Sequence, residues 1–116
     1  MSVRVLVVDD SQDQRELLGA LFVKAGCVVD EAKSTAEAVV HLSANTPEIA
    51  VVDLILEPGD SGVAACAAVR ELAPSAAVVI ASVLDVADYP EADARLPKPF
   101  TGAQVRALVA RFGSRS

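Results

Sequence analysis

The sequence predicts a single α/β domain: a five-stranded parallel sheet with helices packed on both faces. Three observations predict it. Apolar, largely β-branched runs alternate strictly with helical patterns along the chain. The runs are continuously apolar, as in strands buried on both faces, and do not alternate apolar with polar. No internal repeat, low-complexity run or linker interrupts the alternation, and 116 residues is the size of one domain.

Each element has its own reason. Val3 to Val8 is the first strand, apolar apart from Arg4, and stops at Asp9-Asp10. Ser11 stands three residues before Gln14, the spacing of a capping box, and opens a helix with Leu17, Leu18, Leu21 and Phe22 on one side. Gly26 ends it, as glycine commonly does just past a helix. Cys27-Val28-Val29 is a short second strand. Ser34 and Glu37 repeat the capping-box spacing before a helix carrying Val39, Val40 and His41, and Pro47 breaks the chain after it. Ile49 to Val52 runs as a buried strand into Asp53, followed by a loop holding Pro58, Gly59 and Gly62. A helix from about Val63 to Leu72 stops before Pro74. Ala76 to Ala81 is the fourth strand and ends at Ser82. Val83 to Ala94 leaves room for a short helix, Arg95-Leu96 is a minimal fifth strand, and Pro97-Lys98-Pro99-Phe100 follows. Thr101 and Gln104 form a third capping box, ahead of a helix with Val105, Leu108, Val109 and Phe112 at helical spacing.

Composition excludes several classes of function. Aromatics are 3% and Trp is absent, which argues against base-stacking platforms and aromatic cages. A net charge of −6 is the wrong sign for coating a duplex or an anionic membrane, so neither nucleic acid nor membrane is an expected partner. Arg106, Arg111 and Arg115 near the end read as a solvated helix face. The apolar start is shorter than a signal-peptide core, which predicts a cytoplasmic protein. Cys27 and Cys66 have neither metal-ligand nor redox spacing and read as reduced small hydrophobes; His41 reads as a lone helix-surface residue.

Parallel sheets of this kind place ligands beyond the carboxyl ends of their strands. The polar residues at those ends are Asp9 and Asp10, Asp53, Ser82 and Lys98. Three carboxylates gathered there repel one another unless cations join them, and one lysine leaves surplus negative charge. Such a partly open, oxygen-rich pocket suits Mg²⁺ that keeps some of its waters. Metal, carboxylate, hydroxyl and ammonium around one point are what phosphoryl transfer needs, with Asp53 placed to attack phosphorus and form an acyl phosphate.

With these residues in place, the chain resembles the receiver domain of two-component response regulators. The motifs are Val7-Val8-Asp9-Asp10, Val51-Val52-Asp53, Val79-Ile80-Ala81-Ser82 and Lys98-Pro99-Phe100. The resemblance implies a flavodoxin-like (βα)5 fold with strand order 2-1-3-4-5, and one receiver domain over residues 1–116 with no output domain. It implies Asp53 as phosphoacceptor, Asp10 and Asp53 as direct Mg²⁺ ligands, Asp9 acting through a metal-bound water, and the Ile55 carbonyl as a third protein ligand. It further implies Ser82 as the switch hydroxyl and Lys98 as the ion-pair partner of the phosphoryl group, with a cis peptide before Pro99. The implied donor is a histidine kinase or histidine phosphotransfer protein. The implied output is binding of a downstream protein or onward relay, with slow self-dephosphorylation and no classical enzyme activity.

Several positions depart from the family pattern. Glu57 stands where a proline is common, with Pro58 after it, so the loop before Gly62 is one residue longer. Arg95 occupies the place of the aromatic switch residue; Tyr89 is the aromatic left in that segment. Residues 83–97 are fewer than usual, which predicts a truncated or irregular fourth helix and a remodelled output face. Ile55 and Leu84 would flank the phosphoryl site and shield it from water. The competing reading is a receiver-like scaffold whose partner binding is largely independent of phosphorylation. An aspartyl-phosphate hydrolase of the haloacid-dehalogenase type would need a second aspartate where Ile55 stands.

Overall fold

The computed structural model describes residues 2–54, 56, 60–82 and 91–113. Five strands, β1 (Arg4–Val8), β2 (Val28–Ala32), β3 (Ile49–Val52), β4 (Ala77–Ser82) and β5 (Ala94–Pro97), form one parallel sheet in the order β2-β1-β3-β4-β5. Four helices are present among the described residues: α1 (Gln12–Lys24), α2 (Thr35–Ala44), α3 (Gly62–Leu72) and α4 (Gly102–Phe112). This is the predicted flavodoxin-like architecture. The predicted short helix after β4, and Tyr89 and Leu84 within it, lie outside the described residues.

Alternation along the strands divides the core in two. Val5, Val7, Ile49, Val51, Ala77, Val79 and Ala81 pack with Leu18 and Phe22 of α1 and Val105, Leu108 and Phe112 of α4. Leu6, Val8, Ala50, Val52, Val78 and Ile80 pack with Ala38 and Leu42 of α2 and Ala65, Cys66 and Val69 of α3. Each fully buried Val, Leu or Phe contributes about 1.5–3 kcal/mol. Cys27 and Cys66 are free, buried and in opposite layers, and burial raises both thiol pKa values. As expected, both behave as core hydrophobes.

The edges show where local pattern gives way to tertiary context. β2 runs on through Asp30 and Glu31, beyond the predicted Cys27-Val28-Val29. Acids are poor strand formers, but here each meets an arginine: Arg4 Nη1 lies 2.8 Å from Asp30, and Arg15 Nε 3.2 Å from Glu31. β5, the other edge, is also longer than the predicted pair and ends in Pro97, whose missing N–H an edge tolerates.

Of the three capping boxes, only Thr101/Gln104 closes in both directions. Ser11 and Ser34 accept from the amides of Gln14 and Glu37, but the return bonds differ. Glu37 takes the amide of Lys33, and Asp9 takes the amide of Ser11. Gly26 has φ of 92°, the left-handed conformation that favours glycine at the end of α1.

Candidate functional site

Strand register gathers the site. Val8 of β1 is level with Val52 of β3, Val52 with Ile80 of β4, and Ser82 with Pro97 of β5. Asp9, Asp53, Ser82 and Lys98 therefore emerge at one edge of the sheet. The backbone continues the ladder past the strands: the Asp53 amide donates to Val8 O at 2.9 Å, that of Asp9 to Ala32 O at 3.0 Å, and that of Lys98 to Ser82 O at 2.9 Å.

Lys98 closes the arrangement. Its Nζ lies 2.9 Å from Asp9 Oδ2 and 2.8 Å from Asp53 Oδ2, so one ammonium bridges carboxylates from two neighbouring strands. Asp9, Asp53 and Ser82 are 3%, 8% and 0% exposed, so the two carboxylates are desolvated charges whose pairing matters. Burial alone would lower the Lys98 pKa, but the bonds and charges of Asp53 and Asp9 outweigh it and hold the ammonium above its usual value. The Lys98–Pro99 peptide is cis, as the resemblance implied.

The other Asp9 oxygen accepts the Ser11 amide at 2.9 Å, and Arg15 Nη1 donates to the Asp9 carbonyl at 2.8 Å while its Nε holds Glu31. Arg15 thus ties the start of α1 to the acidic strand end, a role its position alone does not announce. Lys98 also lines a cleft of about 400 Å³ with Gln14, Leu17, Pro99 and Phe100.

Asp9 and Asp53 share Lys98, and Asp10 follows half-buried on the chain. Among the described residues, no three His, Cys, Asp or Glu side chains form a ready metal cage. The donor set still fits a divalent cation, because three carboxylates against one ammonium leave two negative charges. Mg²⁺ needs only one or two carboxylates, completing its shell with water and other oxygens. Ile55, with the carbonyl implied as a third ligand, lies outside the described residues, as do Glu57 and Pro58. Arg95 is exposed on β5, level with Ile80.

Two features of the loop after Asp53 were not read from the sequence. Gly62, placed there in a loop, is the first residue of α3, capped by Ser61. A Cβ on Gly62 would collide with the Asp53 carbonyl oxygen and come within 2.5 Å of Leu54 Cα, so helix and strand end touch backbone to backbone. A glycine at a first helical position, where a better helix former would serve, is the signal that could have found it. The second feature is Asp60, which accepts the Thr35 amide and the Ser61 amide, each at 2.8 Å, and the Thr35 hydroxyl at 2.5 Å.

Comparison with known proteins agrees with this geometry. The family model described as the response regulator receiver domain matches residues 5–110. The chain is 32% identical to the response regulator MprA of Mycobacterium ulcerans, covering 96% of this chain and 52% of that protein, so it spans about half of that relative's length. It is 29% identical to the chemotaxis protein CheY of Bacillus subtilis, covering 90% and 92% of the two chains. It is also similar to the structure of a Burkholderia pseudomallei response regulator with a phosphorylated aspartic acid, a calcium ion and citrate. There the identity is 26% and the TM-score 0.80, over 97% of this chain and 68% of that one. Fold, strand-end constellation and family match converge: the chain belongs to the response regulator receiver domain family of two-component signalling.

Proposed function

We propose that this receiver takes a phosphoryl group onto Asp53 from a histidine kinase or histidine phosphotransfer protein, with Mg²⁺ present. The observation that carries the reading is the Lys98 bridge between Asp9 and Asp53, which puts a desolvated cation beside the proposed nucleophile. An Asp53 carboxylate oxygen attacks phosphorus, the phosphorus–nitrogen bond of the donor's phosphohistidine breaks, and the electron pair and a proton go to the imidazole. Lys98 then exchanges its bond to Asp53 for one to the phosphoryl oxygens, and the buried Ser82 hydroxyl donates to another. Asp10 and Asp53 would hold Mg²⁺ directly, Asp9 would act through water, and the Ile55 carbonyl would complete the protein ligands. When bound, the ion neutralises charge on the transferring oxygens. The product signals by binding a partner protein or passing the phosphoryl group on.

A scaffold reading, with partner binding largely independent of phosphorylation, is favoured by one observation. The place of the family's switch aromatic holds Arg95, exposed on the edge strand. Intact mass after incubation with Mg²⁺ and acetyl phosphate separates the two. Gain of one phosphoryl group by the wild type, and none by Asp53→Asn, is the expected result. No phosphoryl gain by the wild type, with Mg²⁺ binding also absent, would overturn it in favour of the scaffold.

A further inference from the structure

The Asp53 carboxylate is fixed at one end by β3, whose ladder continues into the Asp53 amide. Besides Lys98, which holds the carboxylate itself, the backbone that carries it has a second support from the far end of the loop. Gly62 N donates to Leu54 O at 3.1 Å, and Gly62 lies so close to the backbone of Asp53 and Leu54 that no side chain fits between them. What holds Gly62 there is therefore part of what aims Asp53.

Asp60 is two residues before Gly62, and its carboxylate sits between the starts of two helices. One oxygen accepts the Thr35 amide at 2.8 Å; the other accepts the Thr35 hydroxyl at 2.5 Å and the Ser61 amide at 2.8 Å. Thr35 is the first residue of α2, and Ser61 caps α3. A carboxylate at this point satisfies otherwise orphaned amides and meets the positive ends of both helix dipoles. Its bonds are charge-assisted, about twice as strong as neutral ones.

We propose that Asp60 is a positioning residue for the acidic site: tied to Thr35, it holds Gly62 against Asp53 and Leu54 and so sets the direction of the Asp53 carboxylate. This rests on the reading of Asp53 as phosphoacceptor and metal ligand. Asp60 touches no reacting atom. It fixes the loop relative to α2, so the layer formed by α2 and α3 takes part in holding a site that Lys98 approaches from the other side of the sheet order.

The test compares wild type, Thr35→Val and Thr35→Ser in the full chain, well below every melting midpoint. Amide hydrogen exchange is read at Gly62 and at Val5 to Val8 of β1, and Mg²⁺ alone is titrated calorimetrically. Thr35→Val removes the hydroxyl donor with little change of shape. It is expected to speed Gly62 exchange about tenfold, the size of one lost bond to a charged group, and to weaken Mg²⁺ binding several-fold. The β1 amides should be unchanged, and Thr35→Ser, which keeps the hydroxyl, should match the wild type in both readouts. Unaltered Gly62 exchange in Thr35→Val would overturn the proposal, as would acceleration shared equally by β1. Wild-type protein that binds no Mg²⁺ and gains no phosphoryl group would sink the functional reading, while Gly62 exchange would still decide whether Asp60 holds the loop.

Discussion

Gly62→Ala sets two physical effects against each other with opposite signs. Helix propensity favours alanine over glycine inside a helix by up to about 1 kcal/mol, so on that ground alone the variant should be more stable. The packing says otherwise. The added methyl would collide with the Asp53 carbonyl oxygen and lie 2.5 Å from Leu54 Cα and 2.8 Å from Asp53 C. All three are backbone atoms with no rotamer to yield. Restoring the Leu54 contact to an ordinary 3.4 Å requires a displacement of about 0.9 Å at the start of α3. That movement stretches the 3.1 Å bond from Gly62 N to Leu54 O and disturbs the Ser61 cap. Overpacking by one methyl costs about 1–3 kcal/mol, and a weakened bond adds about 1 kcal/mol. The net expectation is a loss of about 1–3 kcal/mol, a fall in Tm of about 4–12 °C for a domain of this size. Urea denaturation monitored by far-ultraviolet circular dichroism measures it, with Mg²⁺ affinity read alongside. A variant as stable as the wild type, or more so, would refute the argument and leave propensity as the stronger effect.

Other expectations follow from the same geometry. Lys98→Met keeps the stem but removes the ammonium shared by two carboxylates 3% and 8% exposed; it should destabilise the metal-free protein by about 3–5 kcal/mol. Added Mg²⁺ should recover part of that loss, and an unchanged urea midpoint would contradict the pairing. Thr101→Ala removes the side-chain half of the capping box, the hydroxyl that accepts the Gln104 amide, while the residue 101 amide can still donate to Gln104; it should cost about 1 kcal/mol at unchanged m-value. Thr35 bonds, side chain first, hold the Asp60 carboxyl below its ordinary 3.8, with burial opposing. A depressed folded pKa gives stability that is complete above the unfolded value and is lost as pH falls through the folded one. The stability gap between wild type and Thr35→Val should therefore be constant at neutral pH and close below about pH 4, which acid titration of the two unfolding midpoints will show.

The central strands were legible because burial on both faces leaves nothing but apolar residues: Ile49 to Val52 and Val78 to Ala81 read as strands unaided. The edges were less so. Asp30 and Glu31 look like loop residues until Arg4 and Arg15 are placed beside them, and those pairs are 26 and 16 positions apart. The site's composition followed from one topological rule about strand ends, which put Asp9, Asp53, Ser82 and Lys98 together before any distance was known. What that rule could not supply was the supporting shell. Asp60 and Thr35 are ordinary polar residues at a turn and a helix start, and only the folded chain brings them together across 25 positions. Gly62 looked like loop punctuation because the backbone it touches is not its neighbour in sequence.

The Lys98 bridge also bears on the order in which the strand-end cluster can assemble. Its two bonds join residues 89 and 45 positions apart, among the longest-range side-chain hydrogen bonds of the described residues. Contacts of such long range form after local helices and neighbouring strand pairs. A growing chain that has completed β1 and β3 holds both acidic strand ends but no ammonium between them, and their mutual repulsion works against closing that edge. Docking of β5 brings the Lys98 ammonium, which relieves part of that repulsion. Under the proposed role of Asp53, the ammonium that faces it arrives only with β5, the edge strand contributed from the far end of the sequence.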